Sequence, residues 1–114
     1  MQYLLLIHDV PSHWATMDEA AMNATMAEYG TYTEGLRDRG VMVAGDALGM
    51  ESKLVRTRDG GSQISDGPYA ETREQLGGYY LVEADSIEQA AEAAAGIPSA
   101  RWGTIEVRPI RATG

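Results

Sequence analysis

Strand-like and helix-like segments follow one another along this chain in the order β-α-β-β-α-β, once a hairpin in the middle is set aside. Few arrangements satisfy that order. Tyr3 to His8 is a short apolar run ended by Asp9-Val10-Pro11, the pattern of a buried strand. In the helix that follows, Met22, Met26, Tyr29, Tyr32 and Leu36 recur at steps of four, three, three and four, which makes one apolar stripe. Thr16 and Glu19 have the spacing of a capping box, and Asp18 and Glu19 place negative charge at the positive end of the helix dipole. Gly40, after Arg37 and Arg39, is the stop signal. Gly30 and Gly35 inside the helix each cost about 1 kcal/mol against alanine, which predicts a closely packed neighbour at both.

Val41-Met42-Val43-Ala44 is the second strand, and Lys53 to Arg58 with Ser62 to Ile64 form a hairpin. Its turn, Asp59-Gly60-Gly61, supplies the positive φ that a tight connection requires. Tyr79 to Glu83 is the next strand, entered through Gly77-Gly78. Ser86 and Gln89 form a second capping box, opening a thin helix with Ile87, Ala90, Ala91 and Ala94 on one face and Gly96-Ile97-Pro98 at its end. Thr104 to Arg108 alternates cleanly and stops at Pro109. The predicted class is α+β, a ferredoxin-like βαββαβ unit with a β-hairpin insertion. Two helices then cover one sheet face and leave the other bare. A bare apolar face of that size calls for a partner, so the expected assembly is a homodimer joined through the sheets.

Composition narrows the function classes. The 114 residues make one domain, 1–114, with an expected radius of gyration of roughly 13 Å if compact. A hydrophobic share of 44% suffices for a core. A net charge of −8 disfavours nucleic acid and anionic membrane surfaces as partners. The absence of cysteine removes disulfides, thiolate metal sites and thiol nucleophiles. With only His8 and His13 available, no metal or cofactor is expected. Met1 to Ile7 is apolar but lacks a basic residue and stops at His8-Asp9, so it does not read as a signal peptide. No apolar run reaches the ~18 residues of a membrane span, and the expected location is cytoplasmic.

Several side chains are candidates for chemistry. His8, in phase with Leu4 and Leu6, is either a hydrogen-bonded core residue or an acid–base group. On the last strand Ile105 and Val107 point one way, and Thr104, Glu106 and Arg108 point the other. Glu106 and Arg108 therefore face the dimer interior, where they either pair with each other, Asp66 or Glu71, or hold a small anionic or carbonyl-bearing molecule. Asp66 heads an Asp-Gly-Pro turn and serves either as a backbone cap or as a general base at a cleft rim. The glycines at 60–61 and 77–78 lack the strand–glycine–helix context of a phosphate loop.

The run Asp66-Gly67-Pro68-Tyr69-Ala70-Glu71-Thr72-Arg73-Glu74-Gln75-Leu76-Gly77-Gly78-Tyr79-Tyr80-Leu81 resembles the signature of the DGPF (DGPFAETKE) proteins, a branch of the YCII-related family. The first strand, the region 40–49 and Trp102 to Pro109 are similar too, so the likeness spans nearly the whole chain. The resemblance implies a dimeric α+β barrel. It also implies a His–Asp pair in the barrel cleft of some relatives, and a setting beside extracytoplasmic-function sigma factors. Tyr69 replaces the branch's usual phenylalanine and brings a hydroxyl to the cleft, with Glu71 adjacent to that ring. Trp102 stands where many relatives carry histidine, so no catalytic role transfers to it.

Two readings follow. In the first, a homodimer binds a small molecule in its cleft; His8 or Asp66 handles a proton, and Tyr69, Glu71, Glu106 and Arg108 contact the ligand. In the second, the protein has no turnover and works as a regulatory partner of a sigma factor through its acidic surface.

Overall fold

The computed structural model describes residues 1–112. Its main sheet is antiparallel throughout, in the order β2-β5-β1-β6: β1 is Gln2–Asp9, β2 Met42–Ala47, β5 Gln75–Glu83 and β6 Thr104–Pro109. The most apolar segment, β1, takes an interior place with both edges paired. Strict alternation puts Tyr3, Leu5 and Ile7 on its buried face and Leu4, Leu6 and His8 on the opposite one. The buried face packs against the helices α2 (Glu19–Asp38) and α3 (Ile87–Ala94), where Leu36, Ala90, Ala94 and Ile97 close the core with Tyr80 and Val82.

Local signals set the helix ends, with some differences from the sequence reading. Asp18, not Thr16, caps α2: its carboxylate accepts the Ala21 N–H at 2.8 Å. Thr16 instead donates to the His13 carbonyl at the end of a short helix, α1 (Pro11–Ala15), which the sequence reading passed over. Pro11 opens that helix, where its fixed φ suits the first helical position. At the far end of α2 the Val41 N–H reaches Leu36 O and the Gly40 N–H reaches Arg37 O, the paired bonds of a Schellman stop. Gly40 sits there at φ +69. Ser86 caps α3 as expected, while Gln89 reaches back to the Asp85 N–H, one residue earlier than a capping box requires. Ile87 and Ala91 are exposed, so the buried stripe of α3 is narrower than expected. Gly30 and Gly35 have open space where a side chain would stand, so neither is there for close packing.

The insertion is a separate two-stranded sheet, β3 (Lys53–Arg58) paired with β4 (Gly61–Asp66). Asp59 and Gly60 both adopt left-handed backbone, the requirement of a two-residue hairpin turn. Every residue of the ribbon except Leu54 is exposed. This projection raises the radius of gyration to 16.2 Å, above the compact value expected. Among the described residues, no helix is long and apolar enough to cross a membrane.

Tyr32 ties α2 to α3 by donating to the Ala93 carbonyl at 2.7 Å, and its ring meets Tyr80 edge to face at 5.3 Å. Burial, reinforced by Tyr80, pushes the Tyr32 phenol up to about 12. Above the ordinary tyrosine value of 10.0 the unfolded chain therefore loses this proton first, and stability falls as pH rises through the folded value. Tyr32→Phe is expected to cost about 1 kcal/mol at neutral pH and to flatten the loss above pH 10, as read by urea unfolding at stepped pH.

Candidate functional site

Where α2 crosses the sheet, helix and strands part and leave a cavity of about 500 Å³. Its floor is formed by β1, β5 and β2, including Ile7, Gly78 and Tyr80; Met26, Tyr29 and Thr33 of α2 form its roof. Trp14 of α1 closes the end near Asp9. The sequence produces this gap locally. Between Ile7 and His8 the β1–β5 register slips by one residue, and Gly77 is the residue left over on β5. A side chain at Gly77 would meet the Cβ of Asp9 at 3.2 Å, so glycine is what lets Asp9 turn in at the end of the strand.

Asp9 is the polar centre of that end. Its Oδ1 accepts the Val10 N–H and the Trp102 indole N–H, both at 2.8 Å, and its Oδ2 accepts the Ser99 hydroxyl at 2.8 Å. A carboxylate only accepts, so the Ser99 proton must point at Asp9. The 2.5 Å contact between Tyr29 Oη and Ser99 Oγ therefore runs from phenol to serine. The result is a one-way relay from Tyr29 through Ser99 to Asp9. Burial raises the Asp9 carboxyl, but the bonds from Ser99, Trp102 and Val10, helped by the nearby Trp14 indole, outweigh it and hold the group below its ordinary 3.8. Burial, aided by the Asp9 charge and only partly offset by Ser99, keeps the Tyr29 phenol above 10.0. At neutral pH this corner thus holds a fixed anion and an intact phenol. His13 stacks on Trp102 at 4.2 Å, and Trp14 meets the same ring edge-on at 6.0 Å, so the relay is backed by aromatic surface.

The residues singled out from the sequence lie elsewhere and fall into two groups. His8, Glu106 and Arg108 share the sheet face opposite the helices, and His8 Nε2 lies 2.9 Å from Glu106 Oε1. Glu106 therefore pairs with His8, and not with Arg108, Asp66 or Glu71. Asp66, Tyr69 and Glu71 belong to the ribbon and the segment leaving it. Asp66 pairs with Lys53 across the hairpin in place of capping backbone, and Tyr69 is 85% exposed. Neither group contributes a side chain to the cavity wall. Among the described residues, no three histidine or carboxylate groups gather as a metal site would require.

Sequence reasoning missed Asp9, Ser99 and Trp14, and took Tyr29 as plain core. One signal was available. An aspartate that ends a buried strand must find donors for its carboxylate, and a buried tryptophan needs an acceptor for its indole N–H. Asp9 and Trp102 answer both needs at once.

Because its folded value is depressed, Asp9 contributes stability that is present above the unfolded value of 3.8 and lost as pH falls through the lower folded one. Asp9→Asn is expected to cost about 1–3 kcal/mol at neutral pH, with the gap to wild type closing in the acid range below 3.8. Urea denaturation between pH 7 and pH 2 measures both.

Comparison with known proteins adds two findings. An uncharacterized protein of Rhizobium meliloti (strain 1021) is 40% identical over 58 residues, which is 49% of this chain and 47% of that protein. The chain thus spans about half the length of the curated relative it matches. The family model for the YCII-related domain matches residues 1–113, the stretch that includes the Asp9 corner, the cavity and the ribbon. On that match the chain belongs to the YCII-related family.

Proposed function

We propose that this YCII-related protein binds a small organic molecule in the cavity between α2 and the sheet. The observation that carries the reading is the cavity itself: about 500 Å³, largely apolar, with one hydrogen-bonded carboxylate corner. Ligand sites commonly span roughly 300–1,000 Å³ and combine apolar walls with a few placed polar groups. The strand order β2-β5-β1-β6, with both long helices on one face, supports a ferredoxin-like unit. Leu4, Leu6 and Leu81 on the opposite face support a homodimer built face to face as an α+β barrel. The run from Asp66 to Leu81 supports placing the protein in the DGPF branch.

A second reading, acid–base chemistry in the dimer cleft, is favoured by the contact between His8 and Glu106. A carboxylate on one ring nitrogen fixes the imidazole for proton transfer at the other. The two readings assign different work to different residues.

Native mass spectrometry of protein purified from its own host tests the first. A dimer carrying a small organic molecule is expected, and Ala47→Trp, which fills the cavity from its rim, is expected to come off empty. A ligand retained by Ala47→Trp would overturn the cavity reading. For the second reading, which places its substrate in the dimer cleft and not in the cavity, His8→Gln is expected to abolish any turnover the dimer shows while leaving the cavity ligand bound. Undiminished turnover in a folded His8→Gln dimer would exclude it.

A further inference from the structure

The cavity is polarised along its length. Tyr29, Thr33 and Arg37 line it as one stripe of α2 at steps of four, so Tyr29 and Arg37 are eight residues apart, roughly 12 Å along the axis. At the Tyr29 end the phenol proton is committed to Ser99, and Ser99 in turn to Asp9. The Tyr29 oxygen is therefore left with lone pairs and no free donor. A carboxylate two hydrogen bonds behind it polarises the chain and makes that oxygen a stronger acceptor. At the other end the Arg37 guanidinium has five N–H groups, one of which reaches Glu34 at 3.4 Å. The stretch between offers apolar surface from Ile7, Met42 and Tyr80, while the hydroxyls of Thr33 and Tyr80 bond each other at 2.8 Å.

We infer that the cavity selects an elongated amphipathic molecule with an amine at the Tyr29 end and an oxyanion at the Arg37 end. This rests on the cavity reading above and gives it a chemical class. An ammonium fits the first end because it donates without accepting, and it meets an acceptor backed by a fixed negative charge. Trp14 beside it adds an aromatic face of the kind that attracts cations. An oxyanion fits the second end because a guanidinium presents a planar fork that suits a carboxylate or phosphate. The hydrocarbon body takes up the distance.

Three probes sharing one hydrocarbon chain test the inference by calorimetry on the intact protein: 8-aminooctanoate, octylamine and octanoate. The expected result is that 8-aminooctanoate binds at least about tenfold more tightly than either single-ended probe. Tyr29→Phe keeps the ring and removes the acceptor, and is expected to bring 8-aminooctanoate down to the affinity of octanoate. Arg37→Gln, at an exposed position, is expected to bring it down to that of octylamine. Equal binding of all three probes, blocked by Ala47→Trp, would overturn the ligand class and leave the cavity reading standing. Binding of none of them by a folded protein would also overturn the class, and the cavity reading then stands or falls on its own mass measurement. Circular dichroism of each variant separates lost binding from lost fold.

Discussion

The Asp9 carboxylate is the group around which this end of the molecule is arranged. Placing a charge at the end of a buried strand costs several kcal/mol unless donors surround it. The donors come from separate parts of the chain: Val10 beside it, Ser99 in the 3-10 turn Pro98–Arg101, and Trp102 just before β6. Tyr29 joins from α2 through Ser99. One carboxylate thus fixes where α2, the 3-10 turn and the start of β6 sit relative to β1. The cavity takes its shape from the same set of bonds, because α2 is held to this corner while β5 carries glycines beneath it.

Much of the architecture was legible in the sequence because it is written in periodicity. The apolar run of β1, the alternation of β6, the stop at Gly40, the Ser86 cap and the Asp59-Gly60 turn each follow from a local rule, and each is present. Of the α2 stripe, Tyr29, Tyr32 and Leu36 reach the core while Met26 stands 56% exposed. The start of α2 was misplaced because Thr16, Asp18 and Glu19 offer competing caps within a few residues. Asp18 wins by direct reach to the Ala21 N–H. The compact size expected from chain length failed for a different reason: it assumes that every segment joins one core, and the ribbon does not.

The cavity was far less legible. Asp9 and Ser99 are 90 residues apart and Asp9 and Trp102 are 93 apart, so no spacing rule connects them. Their meeting depends on β1 and β6 being neighbours and on the turn that precedes β6. The residues that did stand out, His8, Glu106 and Arg108, were read from strand phase. Strand phase assigns a face correctly but does not choose partners on it. Diagonal reach across β1 and β6 brought Glu106 to His8 rather than to its own neighbour on the strand.

The ribbon of β3 and β4 has a consequence for how the molecule breathes. It shares no ladder with the main sheet, and its Val55–Ile64 rung lies open to water at 63% and 70% exposure. Opening it therefore breaks only its own cross-strand bonds and leaves the buried rows of Leu5 and Val82 untouched. The chain accordingly has two stabilities and not one. Amide hydrogens in the ribbon exchange with solvent through local opening, on a faster clock than those of β1 and β5, which wait for the whole domain to unfold.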